Sequence, residues 1–195
     1  MNPNYLESVI RQFEYYKLLG EKTIAQLPDD ALFRQFNEAS NSIAIIVNHL
    51  HGNMLSRWTG FLTTDGEKEW RNRDSEFEDH ISSRDELLGR WEEGWGILLH
   101  TLRSLKEEDL LKTVYIRNQG HTVLEAINRQ LAHYPYHIGQ IVYLGKMYAE
   151  KWTSLSIPKG QSAQYNNNKF AQLPHQEHFT SEFLDNTAGS KNEKE

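Results

Sequence analysis

Two histidines four residues apart, His133 and His137, stand in the run RQLAHYPYHIGQ. On a helix such a pair shares one face, about 40° apart around the axis. A third histidine, His49 in NHLHGN, borders the apolar stripe of a separate helical segment. Neutral imidazole suits zinc, nickel, copper or iron. Three imidazoles directed inward from two helices can meet around one divalent ion. They leave at least one position open, which is the arrangement of a catalytic rather than a structural site. Histidine pairs at this spacing also arise by chance, and packing or surface roles are the plainer explanation of any one pair. The chain has no HExxH and no helical ExxH pair, so neither a zincin-type protease nor a carboxylate-bridged di-iron centre is indicated. His51 points away from the His49 side. His80, His100, His121, His175 and His178 fit surface or packing positions.

Polar side chains follow the same lines. Asn53 and Arg57 lie one and two turns beyond His49, Arg129 one turn before His133, and Gln140 about one turn after His137. Each is an ordinary surface or interhelical residue, or else a partner that orients an imidazole or walls a substrate site. Arg71 and Arg73 lie in a charged loop and are placed to meet a carboxylate or other anion, or simply to face solvent beside Asp74 and Glu76. No residue is an obvious general base. A three-histidine site leaves the ion its full +2 charge and so acidifies a bound water or thiol strongly.

The elements that must position these residues are helical. Apolar residues at Leu6, Val9, Ile10, Phe13, Tyr16, Leu19 and Ile24 predict a first helix over Tyr5 to Leu27, with Pro28 beyond its end. A second begins near Ser40 to Ser42, carries Ile43, Val47, Leu50, Met54 and Trp58, and ends around Phe61 or Leu62. The segment TTDGEKEWRNRDSEF, residues 63–77, reads as loop. A third helix starts near Ser82 or Ser83, with Glu86 as capping-box partner of Ser83, and runs through Trp91, Trp95, Leu98 and Leu102 to Leu105. A short extended piece at Val114 to Ile116 and a turn at Asn118 to Gly120 follow. Thr122 and Glu125 then form a capping box that opens a fourth helix reaching Tyr148. Pro135 sits inside it and predicts a kink rather than a stop. Beyond Trp152 the periodicity ends, and the polar stretch from residue 167 to the terminal KNEKE reads as a coil tail on a domain of residues 1–166. The fold class expected is an all-α four-helix bundle.

Composition narrows the function classes. The 195 residues include no cysteine, which excludes disulfides, iron–sulfur ligation and a protein thiol nucleophile. The formal net charge of −6 argues against a nucleic-acid partner. No apolar run approaches the ~18 residues of a membrane span, and the first helix is too charged for a signal peptide, so a cytoplasmic address is expected.

NHLHGN on the second helix, together with RQLAHYPYHIGQ on the fourth, resembles the DinB-like superfamily, also called the YfiT-like metal-dependent hydrolases. The loop TTDGEKEWRNRDSEF and the later SIPKGQSAQ resemble an uncharacterised branch of it, over about Tyr5 to Asn166. The resemblance implies a four-helix bundle with His49, His133 and His137 as ligands of one divalent metal ion, zinc or alternatively nickel. It also implies a homodimer, no DNA-binding role, and transferase or isomerase relatives that use low-molecular-weight thiols such as bacillithiol or mycothiol. Pro135 departs from the family pattern. The leading expectation is a metal-dependent thiol S-transferase acting on a small molecule. A metal-dependent hydrolase working through hydroxide at the metal is the alternative, and a non-enzymatic metal-binding or interaction bundle the third reading.

Overall fold

The four periodic segments of the sequence become four long helices in the structure, a computed structural model that describes residues 5–189. In chain order the helices are α1 (Tyr5–Ile24), the short α2 (Asp29–Phe33), α3 (Ile43–Trp58), α4 (Arg84–Ser104), α5 (Val123–Tyr148), α6 (Ser162–Phe170) and α7 (Ser181–Gly189). A hairpin of β1 (Thr113–Ile116) and β2 (Gln119–Thr122) precedes α5. The described residues are therefore mostly helical, with three short helices and a strand pair beyond the four helices expected. No helix among them is long and apolar enough to cross a membrane.

Side-chain caps fix where the long helices begin. The Ser42 hydroxyl accepts from the Ile45 N–H at 3.1 Å and starts α3. Ser83 accepts from the Glu86 N–H at 3.2 Å to start α4, but the Glu86 carboxylate turns back to the Ser82 N–H, one residue earlier than the expected box. Thr122 and Glu125 make the full reciprocal box at α5, with bonds of 3.1 and 2.7 Å. Helix α5 continues through Pro135, as the sequence predicts. Helix α3 ends earlier than expected, at Trp58, and the chain turns at Gly60 with φ +57°.

Each long helix packs against two others, α1 on α4 and α5, and α3 on α4 and α5. Phe13, Leu50, Trp58, Trp91, Trp95, Leu98, Ile127 and Ile138 are buried between them. Each such side chain removed from water contributes about 1.5–3 kcal/mol, so this apolar interior, and not the polar site, holds the helices together. One polar chain crosses it. The Trp58 indole N–H donates to the Tyr134 hydroxyl at 3.0 Å, and that hydroxyl donates to Asn53 Oδ1 at 3.0 Å. Because Tyr134 adjoins His133 and Asn53 lies one turn from His49, this chain fixes the register of α3 against α5 where the histidines meet.

The loop after α3 is pinned. The Asp65 carboxylate accepts from the N–H groups of Arg117 and Asn118 at 2.8 Å each, and the Gly66 N–H donates to the Tyr115 carbonyl at 2.8 Å. The Asn48 amide donates to the Glu76 carbonyl at 3.0 Å, beside a 3-10 turn at Asp74–Phe77. The hairpin turn differs from expectation: it lies at Arg117-Asn118, with φ of 55° and 60°, and places Gln119 and Gly120 in β2 opposite Ile116 and Tyr115. Two consecutive left-handed residues match the right-handed twist of the strands.

The expected coil tail is corrected as well. Helix α7 docks on α1: the Arg11 guanidinium donates to the Ser181 hydroxyl at 3.0 Å and to the Asp185 carboxylate at 3.3 Å. Tyr15 meets the rings of Phe179 and Phe183. Aromatic residues scattered through a polar stretch supply this contact without the sustained periodicity of a long helix. The terminal KNEKE lies outside the described residues.

Candidate metal centre

Helix α3 carries His49 and α5 carries His133 and His137, all three with their Nε2 atoms facing one another. His133 Nε2 lies 3.4 Å from His49 Nε2 and 3.1 Å from His137 Nε2. The three ligand atoms all fall within 4.8 Å of one another, so the triad could hold a metal ion. His49 and His137 are buried and His133 half-buried.

The other ring nitrogen of each histidine has an acceptor. His49 Nδ1 lies 2.9 Å from Glu76 Oε2, His133 Nδ1 3.3 Å from Gln130 Oε1, and His137 Nδ1 2.8 Å from Gln140 Oε1. Each acceptor places the ring proton on Nδ1 and leaves a bare lone pair on Nε2. Three lone pairs converging without a proton between them repel one another unless a cation sits among them. The two separations from His133, 3.4 and 3.1 Å, fit that cation: two nitrogens about 2.0–2.1 Å from a tetrahedral zinc ion are roughly 3.3 Å apart. Partners on the outer nitrogen are also what orient metal-ligating histidines in general. Burial, then the neighbouring His137 and His49, push His133 down to about 3, and burial lowers His137 against the opposing bond from Gln140. Both rings therefore stay neutral, the form that binds metal.

Beneath His49 lies an ionic bracket. Arg71 holds the Glu76 carboxylate bidentately, Nε to Oε1 at 2.7 Å and Nη2 to Oε2 at 2.9 Å. Its third nitrogen donates to Glu67 at 3.1 Å, and Arg57 reaches the same Glu67 oxygen at 3.0 Å. Burial alone would raise Glu76, but the bonds from His49 and Arg71, with the arginine's charge, outweigh it and hold the carboxyl below its ordinary value. Gly52 makes the approach of Glu76 to α3 possible, since a Cβ there would lie 2.8 Å from Glu76 Cδ. The run NHLHGN thus has a reason at four positions. Asn48 fixes the Glu76 backbone, His49 faces the other two histidines, Gly52 makes room for the carboxylate, and Asn53 takes the Tyr134 bond.

A cavity of about 390 Å³ is lined by all three histidines. Phe77 stacks on His49 with ring centres 4.6 Å apart, and Arg73 lies over the Phe77 ring at 5.1 Å from its centre. Tyr136 stands edge-on to His137.

A family profile described as "Protein of unknown function (DUF1572)" matches residues 1–161. The chain belongs to this family. No curated protein and no solved structure matches the chain significantly. The match covers every residue of this DUF1572 centre, from His49 to Gln140.

Of the residues singled out from the sequence of this DUF1572 chain, Asn53, Arg57, Arg71, Arg73 and Arg129 line the cavity with the three histidines. Gln140 sits behind His137. Arg71, read as a candidate anion clamp, already grips Glu76 of its own chain. Sequence reading missed Glu76 and Gln130. Gln130 was legible: QxxH at 130–133 mirrors HxxQ at 137–140, and both spacings put an amide one turn from an imidazole. Glu76 left no local signal, because its contact depends on how a loop folds back over α3.

Proposed function

We propose that this DUF1572 chain is a metal-dependent enzyme of the DinB/YfiT type, its four long helices forming that superfamily's bundle. His49, His133 and His137 hold one divalent ion, zinc or nickel, through Nε2. The observation that carries this is the set of three Nδ1 partners, which leaves three inward lone pairs with no donor between them. The reaction that fits best is transfer of a low-molecular-weight thiol to a small electrophile. When bound, the ion supplies Lewis acidity, lowering the pKa of a thiol or water towards neutrality.

The protein's own residues hold and shield. Three neutral imidazoles leave the ion's charge undiminished. Glu76 keeps the His49 tautomer and cannot also serve as a base, since both its oxygens are engaged by Arg71 and His49. Glu67 is likewise engaged by Arg57 and Arg71. Among the described residues no aspartate or glutamate lines the cavity, so its wall offers no carboxylate general base, which matches a site that lowers its nucleophile's pKa directly. Phe77 and Tyr136 cover the histidine rings with aromatic surface.

Hydrolysis is the second reading, favoured by a polar mouth in which the exposed Arg129 and Tyr136 admit water as freely as a thiol. The test uses untagged protein purified without a metal column and loaded with zinc. It is incubated with bacillithiol or glutathione and a generic electrophile, then with ester, amide and lactone substrates and no thiol. Conjugate that depends on zinc and disappears in His133→Ala supports transfer. Turnover without thiol supports hydrolysis. Stoichiometric zinc with neither activity favours a non-enzymatic metal-binding role.

A further inference from the structure

Among the described residues, the cavity wall carries five arginines, Arg57, Arg71, Arg73, Arg117 and Arg129, and no aspartate or glutamate. They come from α3, the long loop, the hairpin turn and α5, so four separate parts of the fold converge to put the same charge in one place. The chain as a whole has the opposite sign, with 27 acidic side chains against 21 lysines and arginines. A random share of its charged residues would not line a pocket this way.

The five are not alike. Arg57 and Arg71 are buried and spend their charge on Glu67 and Glu76. Arg117 reaches Glu67 only at 3.4 Å, with its side chain more than half exposed. Arg73 has Asp74 at 4.0 Å, and that carboxylate is 97 % exposed. Exposed pairs of this kind are worth little. Arg129 makes no ion pair among the described residues. Five guanidinium groups therefore share two tightly bound carboxylates, which leaves Arg73, Arg117 and Arg129 without a buried counter-charge before any metal is counted. Like charges gathered in a cleft raise the local potential and draw in anions of opposite sign. Guanidinium groups match carboxylate and phosphate oxygens bidentately.

We propose that the pocket selects a small organic oxyanion, its acid group held by Arg73, Arg117 and Arg129 at the rim and its reacting end directed to the histidine floor. This names the substrate class for the metal-enzyme reading above, on which the direction of binding rests. The arginine rim itself is independent of the metal.

The test is calorimetric titration of zinc-loaded full-length protein with succinate, phenyl phosphate and neutral succinamide, beside the Arg73→Gln/Arg129→Gln double variant. Both arginines are exposed at the mouth, so the variant keeps its fold, and its zinc content is measured in parallel. Succinate or phenyl phosphate binds the parent, with the tighter of the two showing which oxyanion the site takes. Affinity drops on the order of tenfold for each arginine removed, as loss of a hydrogen bond to a charged group implies. Zinc content stays unchanged, succinamide does not bind, and the parent's affinity falls with added salt. Anion affinity equal in parent and variant would place binding on the zinc alone and overturn the proposal, as would succinamide binding as well as succinate. If the protein takes up no zinc yet still shows arginine-dependent anion binding, the metal-enzyme reading fails while the anion site stands.

Discussion

Replacing Gly52 with alanine leaves every proposed ligand in place and should still weaken the metal site. The new Cβ would lie 2.8 Å from Glu76 Cδ and 3.0 Å from Cγ, and closer still to Oε1. Carbon–carbon contacts are comfortable at about 3.5–4.0 Å, so the carboxyl group must withdraw by about 0.7 Å. A withdrawal of that size stretches its 2.9 Å bond to His49 Nδ1 to about 3.6 Å, beyond hydrogen-bonding range. His49 then loses the partner that fixes its tautomer. Losses of this kind lower metal affinity roughly 10–100-fold. The helix itself moves the other way, since alanine is favoured over glycine in a helix interior by roughly 0.5–1 kcal/mol. Zinc affinity is measured by competition with a chromogenic chelator, and the metal-free fold by urea denaturation. Weaker zinc binding without loss of helix content is the expected pair of results. Zinc affinity within about twofold of the parent would refute the argument that Glu76 orients His49, given that outer partners normally matter tenfold or more.

Other perturbations follow from the same contacts. Glu76→Ala leaves the Arg71 guanidinium buried without its bidentate partner and should destabilise the metal-free protein by about 3–5 kcal/mol in urea denaturation. Tyr134→Phe strands the Trp58 indole N–H and Asn53 Oδ1 in the interior, a loss of about 1–3 kcal/mol in the same assay. In the metal-free protein, His133 titrates at about 3 when folded and at about 6.5 when unfolded, so the unfolded chain binds more protons between those values. Stability should therefore be full above pH 6.5 and fall as pH drops towards 3, and His133→Gln should flatten that part of the profile. Removing residues 171–195 detaches the α7 contacts with Arg11 and Tyr15, and among the described residues none beyond His137 lines the cavity. Zinc uptake by that shortened chain should match the parent's.

The four long helices were legible because their apolar stripes and caps are local signals. The Thr122–Glu125 box and the Tyr148 end of α5 lie where the sequence puts them. The His133–His137 pair was legible for the same reason, since helical spacing alone puts both on one face. What failed needed distant partners. Glu76 reaches His49 only because the loop is tied down through Asp65, Asn48 and Arg71, and none of those ties has a spacing to read. Arg129 and Gln130 show the limit of angular reasoning: both lie about one turn from His133, and the amide of the second, not the charge of the first, meets Nδ1. The hairpin was half read. Gly120 attracted the turn, yet Arg117 and Asn118 adopt the left-handed conformation, held there by the Asp65 carboxylate. Helix α7 went unseen because its stability comes from docking on α1 rather than from its own pattern.

In the proposed centre three histidines and no other side chain bind one metal ion. X-ray absorption at the zinc edge, on untagged protein loaded with one equivalent, reads that ligand set. The expected result is three imidazole nitrogens at about 2.0–2.1 Å with at least one light oxygen ligand completing the sphere, and loss of that signature in His137→Ala. Four protein ligands around the zinc, or failure to retain one equivalent of any divalent metal, would contradict it.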